Sequence, residues 1–107
     1  MSKILEKPKW LLIDDMRSIR GIDRTARSYD EAVKAITFEG PWDTIMFDHD
    51  LGEERTGYDI MCILEREPKL IPNNILIITQ NSAARPRMEQ LRLRLLDMKN
   101  SIQTILS

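Results

Sequence analysis

Two short runs hold the residue types that chemistry needs. Asp14-Asp15 follows the apolar stretch Trp10-Leu11-Leu12-Ile13, and Asp48-His49-Asp50 follows Thr44-Ile45-Met46-Phe47. Clustered carboxylates repel one another and raise each other's pKa unless a cation sits among them. A hard ion such as Mg²⁺ takes oxygen ligands and keeps several waters, so two or three aspartates suffice to hold it. Asp14, Asp15 and Asp48 are the candidate ligands of Mg²⁺, and Asp48, His49 and Asp50 the candidate catalytic groups. The metal would polarise a phosphoryl oxygen or activate a water. His49 is the only histidine. On an extended backbone it faces away from Asp48 and Asp50 and is a buried, hydrogen-bonded side chain. On a loop that begins at Asp48 it swings into the site as general acid or base. Both arrangements stay open.

A second constellation, Thr79-Gln80-Asn81-Ser82-Ala83-Ala84-Arg85-Pro86-Arg87, has the chemistry of an anion site. Proline is tolerated in the first turn of a helix, so a helix begins near residues 82–85. Free backbone N–H groups and the positive end of the helix dipole attract phosphate there. Arg85 and Arg87 would clamp it, with Thr79, Asn81 and Arg17 as further phosphate-binding candidates. Arginine suits bidentate phosphate contacts better than lysine.

The elements that must position these groups follow from the apolar pattern. Residues 10–13 and 75–78 are continuous apolar runs, and the central strand, about residues 43–48, carries Ile45-Met46-Phe47; such runs mark strands of a parallel sheet covered on both faces. Residues 24–29 alternate weakly and make a polar edge strand. Residues 16–23 leave little room for a crossover helix. Ser28 with Glu31, and Thr56 with Asp59, open helices as capping boxes. The first helix turns Ala32, Val33, Ile36 and Phe38 to one side and ends at Gly40-Pro41; the second carries Ile60, Met61, Ile63 and Leu64 and stops at Pro68. A long C-terminal helix places Met88, Leu91, Leu95, Met98, Ile102 and Ile105 on one stripe, for packing on the sheet or for pairing two copies as a homodimer. Strands that alternate with helices give an α/β fold with about four parallel strands and right-handed crossovers. A ligand site is expected beyond the carboxyl ends of those strands.

Bulk composition narrows the function classes. One domain spanning residues 1–107 is expected from the length. The single cysteine, Cys62, excludes an internal disulfide and a cysteine-rich zinc site. The net charge of −1 gives no global steering toward nucleic acid. No apolar run reaches membrane-spanning length, and the N-terminus has no signal-peptide core, so a cytoplasmic protein without a membrane partner is expected.

The chain resembles the receiver domains of response regulators, a flavodoxin-like three-layer fold. Asp14-Asp15 stands where they carry an acidic pair, Asp48 where they carry a phosphorylated aspartate, and Thr79 where they carry a serine or threonine. It lacks a clear fifth strand with its lysine, so it is truncated relative to typical receivers. It is more similar to the cyclic-phosphate-processing receiver family of bacteria and phages. Four motifs in order carry that likeness: Ile13 to Arg17, Asp-His-Asp-Leu-Gly at 48–52, Thr-Gly-Tyr-Asp at 56–59, and Asn81 to Met88. Where the family often has a histidine near the end of the fourth strand, this chain has Ile78-Thr79. The resemblance implies a Mg²⁺-dependent phosphoesterase acting on a cyclic phosphate in a nucleotide or at an RNA end. The alternatives are a non-catalytic adaptor, such as a phage-encoded inhibitor with a protein partner, and a receiver phosphorylated on Asp48.

Overall fold

The computed structural model describes residues 7–106. The apolar runs become strands β1 (Trp10–Ile13), β3 (Thr44–Phe47) and β4 (Asn74–Ile77), and the polar edge is β2 (Arg24–Ala26). All pairings are parallel, in the order β2-β1-β3-β4. Ile13 lies opposite Phe47, and Phe47 opposite Ile77. These three strands therefore end level, and the polar residues that follow them share one rim.

Helices α1 (Tyr29–Phe38), α2 (Gly57–Arg66) and α3 (Arg85–Leu106) complete the fold. Thr56 and Asp59 form a reciprocal capping box. Ser28 caps α1 through the Glu31 N–H, but the Glu31 carboxylate accepts from the Arg27 N–H instead of closing the box. Leu11, Ile13, Ile45, Phe47 and Ile75 point to one face of the sheet. They form a single core with Ala32, Ala35 and Ile36 of α1, Ile60, Met61 and Leu64 of α2, and Met88, Leu91 and Leu95 of α3. Burying each large side chain there contributes about 1.5–3 kcal/mol. Phe38 does not join them and is 80% exposed at the end of α1. The α3 stripe packs as far as Leu95 and Met98, whereas Ile105 is exposed.

All three helices cover the same face. A right-handed crossover from β1 to β2 runs over the opposite face, because the chain moves the other way along the sheet. That crossover is the non-helical segment 14–23. Its Ile19 and Ile22 lie beside Trp10 and Met46, whose side chains point to this second face. The cover is thin: Trp10 and Leu76 stay 36% and 41% exposed. No described helix is long and apolar enough to cross a membrane.

Candidate functional site

The loop after β1 is built around one aspartate. The Asp14 N–H continues the sheet by donating to the Ala26 carbonyl at 3.1 Å. Its Oδ1 accepts from the N–H groups of Met16 and Arg17 at 2.9 and 2.8 Å. This local turn replaces the first turn of a helix. Oδ2 has no hydrogen-bond partner although the residue is 2% exposed. The Arg17 Nε lies 3.7 Å from it, an ion-pair distance too long for a hydrogen bond. Arg17 Nη1 donates to the Ile78 carbonyl at 3.1 Å, which ties the loop to the end of β4.

Asp48 is positioned from β3. Its N–H donates to the Ile13 carbonyl at 3.0 Å, and its Oδ1 accepts from the His49 N–H at 2.7 Å. Asp14, Asp15 and Asp48 each offer an oxygen, all within 4.8 Å of one another. Burial pushes the Asp48 carboxyl above its usual value, and the charge of Asp14 pushes it the same way. The His49 N–H, the Thr79 hydroxyl and Arg17 oppose that shift without cancelling it. A buried carboxylate oxygen with no partner costs several kcal/mol unless something compensates it, roughly 1–3 kcal/mol at the low end. A hard divalent cation is the compensation this donor set fits: oxygen ligands only, and room for water.

Two glycines let the backbone come close here. Gly52 adopts a positive φ of 71°, and a Cβ on it would lie 3.0 Å from Asp15 Oδ2. Gly57 opens α2 directly against β3. Its N–H donates to the His49 carbonyl at 2.8 Å, and a Cβ on it would fall 1.8 Å from the Asp48 carbonyl oxygen. The run Thr56–Asp59 thus combines a helix cap with a contact that only glycine allows.

His49 is buried, with 8% of its surface exposed. Its Nδ1 lies 3.0 Å from Asp50 Oδ1. Because a carboxylate only accepts, we assign the proton to Nδ1. Asn81 Nδ2 then donates to Asp50 Oδ2, at 3.3 Å. The opposite ring nitrogen, Nε2, is buried without a partner. His49 is buried and hydrogen-bonded, as on the extended alternative, but on a non-strand segment and bonded to Asp50 rather than facing away from it.

The carboxylates line a cleft of about 610 Å³ together with Met16, Arg17, Asp50, Thr79, Gln80 and Asn81. Asp14, Asp15, Asp48, Asp50, Arg17, Thr79 and Asn81 thus come together as the spacing anticipated. His49 lies behind Asp50 and outside the cleft lining. Arg85 and Arg87 do not line it either. Arg85 donates to the carbonyls of Ile77, at 3.3 Å, and Thr79, while Arg87 stacks on Tyr58 with its guanidinium 4.7 Å from the ring centroid. The N–H groups expected to cradle an anion are occupied as well: Ala83 and Ala84 both donate to Asn81 Oδ1. Sequence reasoning passed over Met16, and assigned no role to Arg27. Arg27 had a signal, its place among four arginines close together after the first strand (Arg17, Arg20, Arg24 and Arg27), but no spacing rule links an edge strand to a loop ten residues earlier.

A four-stranded parallel sheet with an acidic cleft at its carboxyl rim, Asp48 after β3 and Thr79 after β4, defines a receiver-type domain. The family model described as "Cyclic-phosphate processing Receiver domain" matches residues 9–94. The chain belongs to that family. No curated protein and no solved structure matches it.

Proposed function

We propose that this chain binds a cyclic phosphate, of a nucleotide or an RNA end, at the acidic cleft and hydrolyses it with Mg²⁺ as cofactor in the cytoplasm. The buried Asp14 Oδ2, which accepts no hydrogen bond and has only the Arg17 ion pair at 3.7 Å, beside Asp15 and Asp48, is the observation that carries this reading. Asp14, Asp15 and Asp48 would hold the ion, which when bound supplies charge neutralisation and a polarised phosphoryl oxygen. Arg17, already against Asp14, is the cationic side chain of the cleft and would pair with the phosphate. Thr79 and Asn81 offer a hydroxyl and an amide beside it.

Asp50 is the proton carrier that this geometry favours. Its side chain is 67% exposed, and it is held by His49 and Asn81. It would accept a proton as water oxygen attacks phosphorus. One P–O ester bond of the ring would then break, and the freed alkoxide would take that proton back from Asp50 to become a hydroxyl. A phosphomonoester remains. His49 would act behind Asp50, orienting its carboxylate. Phosphorylation on Asp48 is a weaker reading, because no described lysine lines the cleft.

The test is incubation with 2′,3′-cyclic and 3′,5′-cyclic nucleotides, with and without Mg²⁺. Turnover of at least one, abolished by Asp48→Ala, is expected. No turnover of any cyclic nucleotide, with stable labelling of Asp48 by acetyl phosphate, would replace the hydrolase with a phosphoacceptor.

A further inference from the structure

We propose that Arg27 is a positioning residue for the metal-binding loop. This rests on the Mg²⁺ reading of the acidic cleft. The β1–β2 crossover has no helical ladder to hold its shape, and Asp14 must present Oδ2 to the cleft from a segment that is mostly loop. Arg27 follows the last residue of β2 and reaches back across it. Its Nη1 donates to the carbonyls of Asp14 and Arg17, at 3.2 and 2.7 Å, and its Nη2 to the Ser18 hydroxyl at 2.9 Å. Three acceptors within one five-residue loop thus converge on one half-buried guanidinium.

These contacts fall at both ends of the turn that Asp14 Oδ1 organises. That turn runs from Asp14 to Arg17, whose N–H groups at 16 and 17 bind Oδ1. Holding the carbonyls at 14 and 17 restrains the turn between them, whose N–H groups at 16 and 17 in turn hold the Asp14 carboxylate through Oδ1. The same loop carries Arg17 to the Ile78 carbonyl. The planar fork therefore sets one metal ligand and the phosphate-facing arginine together. Arg27 touches neither the cleft nor any carboxylate oxygen of the cluster, so it acts through the loop. A lysine there supplies a point charge and cannot span the three acceptors. The neighbouring Arg24 has other work: it pairs with Glu39 at 2.9 Å and lies 3.7 Å from Glu31.

The experiment compares the wild type with Arg27→Ala, Arg27→Lys and Arg24→Ala. It uses calorimetric Mg²⁺ titration, and amide hydrogen exchange of Met16 and Arg17 in metal-free protein. Arg27→Ala is expected to weaken Mg²⁺ binding about 10–100-fold, as loss of outer partners of metal ligands does. It should also speed exchange at residues 16 and 17 while the amides of β3 and β4 keep their protection. Arg27→Lys should recover only part of both effects, and Arg24→Ala should leave both unchanged. Unchanged exchange at 16 and 17 in Arg27→Ala would overturn the positioning role, whatever the metal does. Faster exchange with unchanged Mg²⁺ affinity would also overturn it, since the loop would then not govern the ligands. A wild type that binds no Mg²⁺ would sink the metal reading of the cleft and this role with it, and the exchange data would still show whether Arg27 shapes the loop.

Discussion

The loop after β1 and the turn before α3 lie on the same rim, both rich in polar groups, and they differ in what those groups touch. In the turn before α3 the groups expected to hold an anion have partners within the chain. Asn81 holds the N–H groups of Ala83 and Ala84, Arg85 covers the carbonyls of Ile77 and Thr79, and Arg87 lies on Tyr58. In the loop after β1 a carboxylate oxygen is buried without a hydrogen bond, 3.7 Å from the Arg17 guanidinium. From Ala83 to Arg87, where the polar groups named are paired internally, the turn is architecture, although Thr79, Gln80 and Asn81 before it line the cleft. A segment that buries a carboxylate oxygen without a hydrogen bond is prepared for something from outside. Both looked like ligand sites in the sequence, because residue type reports the capacity to bond and not whether that capacity is already taken.

The hardest blow to the acidic side would come from its backbone. Gly57→Ala puts a methyl group 1.8 Å from the Asp48 carbonyl oxygen, and neither side of that contact is a flexible side-chain tip. The start of α2 must move off the end of β3, which also breaks the bond from the Gly57 N–H to His49. Overpacking of this kind costs about 3 kcal/mol or more. Chemical denaturation should register that loss, and Mg²⁺ binding should weaken with it. A Gly57→Ala protein of wild-type stability would mean that the approach of α2 to β3 is looser than the structure has it.

Asp48→Asn sharpens the contrast, because it should weaken binding and raise stability at once. The folded-state pKa of Asp48 is raised, chiefly by burial and then by Asp14. Such a group favours folding most when protonated, below the usual carboxylate range. Its contribution is lost as pH rises through the raised value. At neutral pH the metal-free wild type therefore carries an ionised Asp48 at a cost, and Asp48→Asn removes it. Thermal unfolding without metal should give a higher Tm for the variant at pH 7, and a smaller difference near pH 4. Adding Mg²⁺ should stabilise the wild type and not the variant, whose affinity should fall roughly tenfold or more. A variant that is less stable than the wild type in metal-free buffer at pH 7 would show that the carboxylate is satisfied by the protein alone.

Much of the fold was legible because its signals are local and repeated. Trp10 to Ile13, Thr44 to Phe47 and Ile75 to Ile78 are apolar runs closed by polar residues, the last seen as β4 one residue earlier, at Asn74–Ile77, and Thr56 with Asp59 is a capping box in both sequence and structure. Those runs brought Asp14, Asp15 and Asp48 to one rim through the register alone. The expectation that the sheet is covered on both faces was legible only in part, since the second cover is the thin crossover 14–23 and not a helix. Phe38 misled for a related reason: its apolar type suited the α1 stripe, but it sits at the helix end, past the edge of the core. Arginine roles were the least legible. A guanidinium reaches far enough to choose among many acceptors, and only the folded chain shows that Arg27 finds the loop carbonyls and Arg85 the strand-end carbonyls.

The smallest effects should come from the late arginines, and they discriminate most finely. Arg85→Ala removes a side chain that bonds two main-chain carbonyls, worth about 1 kcal/mol of stability. Arg87→Ala removes an exposed stacking contact, worth about 0.5 kcal/mol. If the turn before α3 is architecture, both variants should bind Mg²⁺ and a cyclic nucleotide as the wild type does in calorimetric titration, while Arg17→Ala loses the nucleotide. A roughly tenfold weakening of nucleotide binding in Arg85→Ala or Arg87→Ala, at the energy scale of a charged hydrogen bond, would reverse the assignment. The guanidinium would then have to leave Thr79 or Tyr58 to reach the ligand, and the turn before α3 would be a second ligand-binding wall that closes only when the cleft is filled.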